Sequence, residues 1–422
     1  MNVFGELVLT LSRLLDLSPN GYLGHGERVG FVAWLLASEC LPEQAEEVFY
    51  AGLIHDIGAL PAPHHITHYT SFEAQLAEPV VRRHPEAGAQ LVRRLPSSHG
   101  IADLVLEHHE YWDGTGYPRG TQGDEIALGA QLIRIADYFD LRLRQLGQPT
   151  RPSLSAVFDG EGANRQFTSE LQHRLEDILA GDEAKEQVCS DIKLGTLVDQ
   201  LVATMPPRAV GAPPNETLYM EGTSLRDGRR TEDVLWLFAE IIDSRHTYTE
   251  GHSQRVARYC DEVSLAMGLL PEVVRDFRWA ALLHDAGMVA VPRHVLDAPR
   301  GLSEQERGLV RAHPVRSKLV VEQVSCLRHL APLVAYHQAY YNGEGYPDNI
   351  AGADIPLGAR VIAVCDAFDA MTSPRPYQGM RTAAEAVRVL QQNAGTQFDP
   401  AVVEVASAVF APQAVTIASH SG

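Results

Sequence analysis

"EHHEYWDGTGYP" occupies residues 107–118, and "YHQAYYNGEGYP" occupies 336–347. One phrase is written twice, and the second copy carries Gln338 where the first carries His109. The repetition extends well beyond the phrase. Asp56 and His84 stand as far apart along the chain as Asp285 and His313. The interval from His84 to His108 equals that from His313 to His337, and the interval from His108 to Asp137 equals that from His337 to Asp366. Only the first interval differs, since His252 and His284 are slightly farther apart than His25 and His55. Identical intervals between identical residue types predict a duplicated domain.

Apolar residues recur at helical spacing in "RVGFVAWLLASECL", "VLWLFAEIID" and "AAEAVRVLQQNA", and alternating strand patterns are few. The expected fold is all-α: two tandem helical domains, 1–204 and 231–422, joined by a Pro- and Gly-rich linker at 205–230. The N-terminal "MNVFGELVLTLSRLLDLSP" reads as an amphipathic helix, not a signal peptide. A membrane span would need a run of about 18 apolar residues, and the sequence has none. Five scattered cysteines without a CxxC pair point to a reducing, cytoplasmic setting. The net charge of -19 argues against binding nucleic acid polymers or anionic membranes, which require a basic footprint. An anionic small molecule remains compatible, because a bound cation inverts the local field.

Imidazoles and carboxylates without thiolates suit Zn, Mn and Fe. The first half offers five histidines and two aspartates, more than one ion uses comfortably. Asp56 is the natural bridge between two ions. Its neighbour His55 serves one of them, since adjacent residues on a helix point ~100° apart; the same reading applies to His108 and His109. Two close divalent ions activate a bridging water and hold both oxygens of an in-line phosphoryl displacement. The ligands alone therefore predict phosphoester hydrolysis by a metal-bridging hydroxide.

These motifs, with "LIHDIG", "RRHPEAG" and "RIADYFD" in the first half and "LLHDAG", "RAHPVRSKLV", "CDAFDAMTSPRPY" and "GTQFDP" in the second, resemble the HD-GYP family of HD-domain metal-dependent phosphohydrolases. The resemblance covers most of both halves, leaving the central linker and much of 141–230 uncovered. It implies an HD-type helical fold, two divalent ions per intact site (Fe or Mn foremost, with Zn, Ni and Mg also suitable), and hydrolysis of cyclic di-GMP or cyclic GMP-AMP. By position, it implies a first ion on His25, His55, Asp56 and Asp137, and a second on Asp56, His84, His108 and His109. In the second half the first set is His252, His284, Asp285 and Asp366. The second set is Asp285, His313 and His337, with Gln338 in the last place, and an amide oxygen is a weaker ligand than imidazole. Asp56 and Asp285 take the catalytic bridging role. Gly116, Tyr117, Pro118, Gly345, Tyr346, Pro347 and Arg375 are implied on the substrate side.

Both halves depart from the family at one position. The lysine that usually follows the HD aspartate by three residues is replaced by Ala59 and Met288. A lost cation beside the phosphate costs about 10²-fold in rate on the scale of one oxyanion donor. Hydrolysis at the first-half site is the leading expectation, since that ligand set is complete. A catalytically degenerate nucleotide-binding or regulatory protein, and a phosphohydrolase of another small nucleotide, are the alternatives. Packing of the two halves as an internal pseudo-dimer, or of two chains as a homodimer, is a further expectation.

Overall fold

The computed structural model describes residues 3–18, 21–60, 62, 67, 74, 77–95, 98–149, 151–158, 165–205, 223–244, 251–298, 300–374 and 380–411. Arg375 lies outside them. The chain divides into two compact units, 1–223 and 224–422, and both are built from helices. The helix Thr223–Ser244 begins inside the stretch read as linker, so residues 223–230 are helical instead. The apolar period of "VLWLFAEIID" supplies its buried face, with Leu235, Phe238 and Ile241 in the core.

In the first unit the helix His25–Cys40 packs against both Ala45–Ile54 and Leu128–Gln145. Val29, Val32 and Leu36 of that helix are fully buried, at the i, i+3, i+7 spacing of one helix face. The N-terminal helix Val3–Leu15 buries Leu7, Leu11 and Leu14 against the same layer, and Phe4 meets Tyr50 edge to face at 5.3 Å. A two-residue antiparallel ribbon, Leu17–Ser18 with Gly21–Tyr22, turns the chain into His25. The region 141–204, which carried no matching motif, contributes the helices Ser169–Ile178, Asp182–Cys189 and Asp191–Thr204.

The second unit repeats this arrangement. His252–Ala266 packs on Pro271–Leu283 and on Leu357–Thr372. Its later helices start where the sequence supplies caps. Ser303 with Glu306 and Thr382 with Glu385 form capping boxes at Glu304–Arg311 and Ala383–Gln392.

One pairing escaped the sequence reading. The backbone N–H groups of Trp112 and Asp113 donate to Gln166 and Arg165, and those of Tyr341 and Asn342 donate to Gln397 and Thr396. "RQF" at 165–167 is thus the first unit's counterpart of "TQF" at 396–398, with Phe167 and Phe398 both buried.

Candidate metal centre

His25 and His252 are the first residues of their helices. Asp137 and Asp366 sit within Leu128–Gln145 and Leu357–Thr372. The adjacent pairs do not lie within helices as the sequence reading supposed. His55 closes the helix Ala45–Ile54 and Asp56 opens a 3-10 turn; His108 closes His99–Glu107 and His109 follows it. Leaving the helix is what lets two successive side chains face one centre. The centre also needs close backbone approach. A Cβ on Gly58 would stand 2.2 Å from the His84 carbonyl oxygen, and one on Gly287 would stand 2.3 Å from that of His313.

The Gly-Tyr-Pro turn folds back on the histidine phrase. Tyr117 N–H donates to the His109 carbonyl at 2.9 Å, and Tyr346 N–H to that of Gln338 at 3.2 Å. Tyr–Pro is cis in both copies, at Tyr117–Pro118 and Tyr346–Pro347. A Cβ on Gly345 would lie 2.2 Å from the Tyr340 nitrogen and 2.5 Å from the Gln338 oxygen, and Gly116 is equally confined. Gly345→Ala is therefore expected to destabilise the second unit by about 1–3 kcal/mol, the range for overpacking. A denaturant midpoint equal to that of the parent would refute this.

The ligand-bearing residues converge. Asp56 Oδ2 lies 3.1 Å from His25 Nε2 and 3.2 Å from His55 Nε2. Asp56 Oδ1 lies 3.1 Å from His84 Nε2 and 3.7 Å from His108 Nε2. Asp137 Oδ1 is 3.7 Å from His25 Nε2. In the second unit Asp285 Oδ2 faces His284 at 3.6 Å and His252 at 3.9 Å, while Oδ1 faces His313 at 3.2 Å and His337 at 3.9 Å. Asp366 Oδ1 lies 3.4 Å from His252 Nε2. Each bridging-position carboxylate thus turns one oxygen to each ligand set. The Gln338 amide reaches the same cluster, where its Nε2 donates to Asp366 Oδ2 at 3.2 Å.

The orientation of the rings is fixed from behind. The Nδ1 atoms of His55, His84 and His108 bond the carbonyls of Gly52, Val81 and Val105; those of His284, His313 and His337 bond Ala281, Val310 and Val334. A carbonyl only accepts, so each Nδ1 carries the hydrogen and each ring turns its Nε2 inward, a lone pair whenever the ring is neutral. His84 Nε2 and His108 Nε2 then face one another at 3.0 Å, as do His313 and His337. Two lone pairs at that distance repel unless a cation stands between them. Asp56 Oδ1 and the Nε2 atoms of His55, His109 and His284 are buried with no hydrogen-bond partner. The groups Asp56, His84, His108, His109 and His25, His55, Asp137 could each hold a metal ion, as could His252, His284, Asp366 and His284, Asp285, His337.

Charge at His108, His337, Asp56 and Asp285 supports the same reading. Burial and the neighbouring imidazoles push His108 down to about 4 and His337 to about 3, so both stay neutral at pH 7. Burial opposes charge on Asp56 and Asp285, but the surrounding histidines outweigh it and hold both carboxyls well below the usual range. Burial also opposes charge on His25, yet the Asp140 and Asp56 carboxylates raise it to about 10; Asp366 and Asp369 do the same for His252.

The aspartates that anchor these two rings were not among the sequence candidates. His25 Nδ1 bonds Asp140 Oδ2 at 2.7 Å, and His252 Nδ1 bonds Asp369 Oδ2 at 2.7 Å. Both follow the aspartate of the cluster by three residues, in "ADYFD" and "CDAFD", so comparing the repeats would have found them. Arg28 donates to Asp140 and Asp191, and Arg255 to Asp369.

The helices carry no segment long and apolar enough to cross a membrane among the described residues. The family model described as "HD domain" matches residues 10–156 and 237–402, most of the chain. A 3'3'-cGAMP-specific phosphodiesterase of Vibrio cholerae is 28% identical over 336 residues, covering 77% of this chain and 66% of that protein. A cyclic di-GMP phosphodiesterase response regulator of Xanthomonas campestris is 36% identical over 177 residues, covering 42% of this chain and 47% of its own length. The crystal structure of a cyclic GMP-AMP-specific phosphodiesterase of V. cholerae superposes with a TM-score of 0.64 at 23% identity, over 96% of this chain and 97% of that one. The chain therefore belongs to the HD-domain family, as a tandemly duplicated member of the HD-GYP type.

Proposed function

We propose that this chain is a metal-dependent phosphodiesterase that opens a cyclic dinucleotide, cyclic GMP-AMP or cyclic di-GMP. The observation that carries the reading is the split carboxylate, with its two oxygens facing two sets of inward Nε2 lone pairs. The named relatives act on those same two nucleotides, which supports the substrate class.

Bound divalent ions would supply an acidified water and a positive field on phosphorus. His and carboxylate donors without thiolate suit iron or manganese, two ions in an intact site. The chain's own groups do the rest. Asp285 stands between the two ligand sets of the second unit, with His252, His284 and Asp366 on one side and His313 and His337 on the other. Asp369 holds the His252 ring, and the three carbonyls of Ala281, Val310 and Val334 hold the others. Gln338 fixes the rotation of Asp366 through its amide. A cavity of about 270 Å³ beside His337, Gln338 and Asp366, walled by Ala363, Met371 and Phe398, gives a phosphodiester room to approach. This cavity gives the second unit a place where hydrolysis can occur, in addition to the first-unit site expected from ligand counting. The Gly-Tyr-Pro turn borders the same centre, with Tyr346 half-buried beside it.

The test loads the purified chain with Mn(II) or Fe(II) and incubates it with both cyclic dinucleotides, with linear dinucleotide as the expected product. Bound nucleotide without product, on protein that demonstrably carries metal, would instead establish a receptor. The absent lysine at Ala59 and Met288 is the feature that favours that second reading.

A further inference from the structure

The two units differ at one buried position beside their clusters. The first unit has Arg134 three residues before Asp137, and the second has Ala363 three residues before Asp366. Arg134 is 2% exposed. Its Nη2 lies 2.9 Å from Asp137 Oδ2, and its Nη1 lies 2.8 Å from His109 Nδ1. Its guanidinium also sits 5.8 Å from the centre of the buried Tyr111 ring.

A guanidinium only donates. His109 Nδ1 must therefore accept, and in the neutral ring the hydrogen then resides on Nε2. This reverses the six rings anchored on carbonyls, whose Nδ1–H groups donate. Metal-bound imidazoles donate their second nitrogen outward; His109 faces a donor there. The ring is further held by Tyr117, stacked on it at 4.7 Å and 13°. The partner that would complete the second ion in the first unit thus presents N–H, not a lone pair.

Position matters as much as hydrogen placement. In the second unit Ala363 lines the open cavity beside Asp366 and Gln338. There the Gln338 amide donates to Asp366 Oδ2 at 3.2 Å, the contact that Arg134 makes to Asp137 Oδ2. The exchange is reciprocal: His109 goes with Arg134, and Gln338 with Ala363. One pair puts a fixed positive charge against the cluster, and the other leaves a neutral donor and space.

We propose that Arg134 is a built-in cation that, by donating to His109 Nδ1, keeps that ring from serving the second divalent ion and sets a fixed positive charge beside the first unit's cluster. That unit then holds at most one ion, on His25, His55, Asp56 and the free oxygen of Asp137, and nucleotide chemistry falls to the second unit. The assignment of the chemistry rests on the phosphodiesterase reading; the blocking role of Arg134 does not.

The experiment counts manganese per full-length chain by elemental analysis after loading and desalting. Arg134→Met keeps the length of the side chain and removes its charge, and is expected to gain about one ion per chain. Adding His84→Ala to Arg134→Met is expected to remove that gain, which assigns the ion to the first unit. His109→Ala in the parent is expected to leave the count unchanged. A folded Arg134→Met protein with the parental count would overturn the proposal, as would loss of an ion on His109→Ala. Should Arg134→Met fail to fold, Arg134→Gln, which mimics the donor found at Gln338, and the His109→Ala count decide the matter. Since the counts need no nucleotide, an absence of hydrolysis would defeat the phosphodiesterase reading while leaving Arg134 to be judged separately.

Discussion

Asp285→Ala is expected to lower kcat/KM for the cyclic dinucleotide by at least about 10³-fold. Asp285 is the carboxylate that faces both ligand sets of the second unit, through Oδ2 to His284 and His252 and through Oδ1 to His313 and His337. Polarisation of a phosphoryl oxygen by a held cation contributes several kcal/mol. Each step of about 1.4 kcal/mol in the barrier is tenfold in rate. About three decades follow from losing that contribution alone. Asp56→Ala removes the equivalent group of the first unit and is expected to cost far less activity. Circular dichroism on both variants separates lost chemistry from lost fold. Equal, large losses in both would show that the first unit takes part in turnover. Retained activity in Asp285→Ala would refute the second-unit assignment.

The largest stability effect is expected at Asp140. Its carboxylate is fully buried, accepts from His25 Nδ1 at 2.7 Å and from Arg144 Nε at 2.6 Å, and pairs with the buried Arg28. Burial works against its charge, but Arg28 and His25 outweigh this and hold it far below the usual carboxylate range. Asp140→Ala leaves the Arg28 guanidinium in the interior, with only the half-exposed Asp191 to balance it. Breaking a buried pair from one side costs about 3–5 kcal/mol. Denaturant unfolding of the full chain should show that loss. Asp140→Asn, which keeps an acceptor but not the charge, should fall between. A change below about 1 kcal/mol in Asp140→Ala, well under the cost of a broken buried pair, would mean that Asp191 and water replace the lost partner.

The site was legible because ligands that must converge are hard to move. The intervals from Asp56 through His84 and His108 to Asp137 recur unchanged from Asp285 to Asp366. The number of residues between two ligands sets where along the fold the next one arrives. The anchoring aspartates also recur in both halves, three residues past Asp137 and Asp366, but a carboxylate that orients an imidazole carries no spacing of its own that separates it from a surface aspartate. Arg134 was different. As a lone arginine in "LIRIADYFD" it is indistinguishable from a solvated helix residue until the neighbouring helices close over it.

Periodicity, caps and repeat spacing by themselves determined the helical class, the duplication and which imidazoles and carboxylates belong together, because those properties are local or are written twice. Only the tertiary structure decided which nitrogen of each ring faces inward, that His109 meets a guanidinium, and that open space lies beside Ala363. Those outcomes depend on what fills the volume around each side chain, and that volume is bounded by residues far away along the chain.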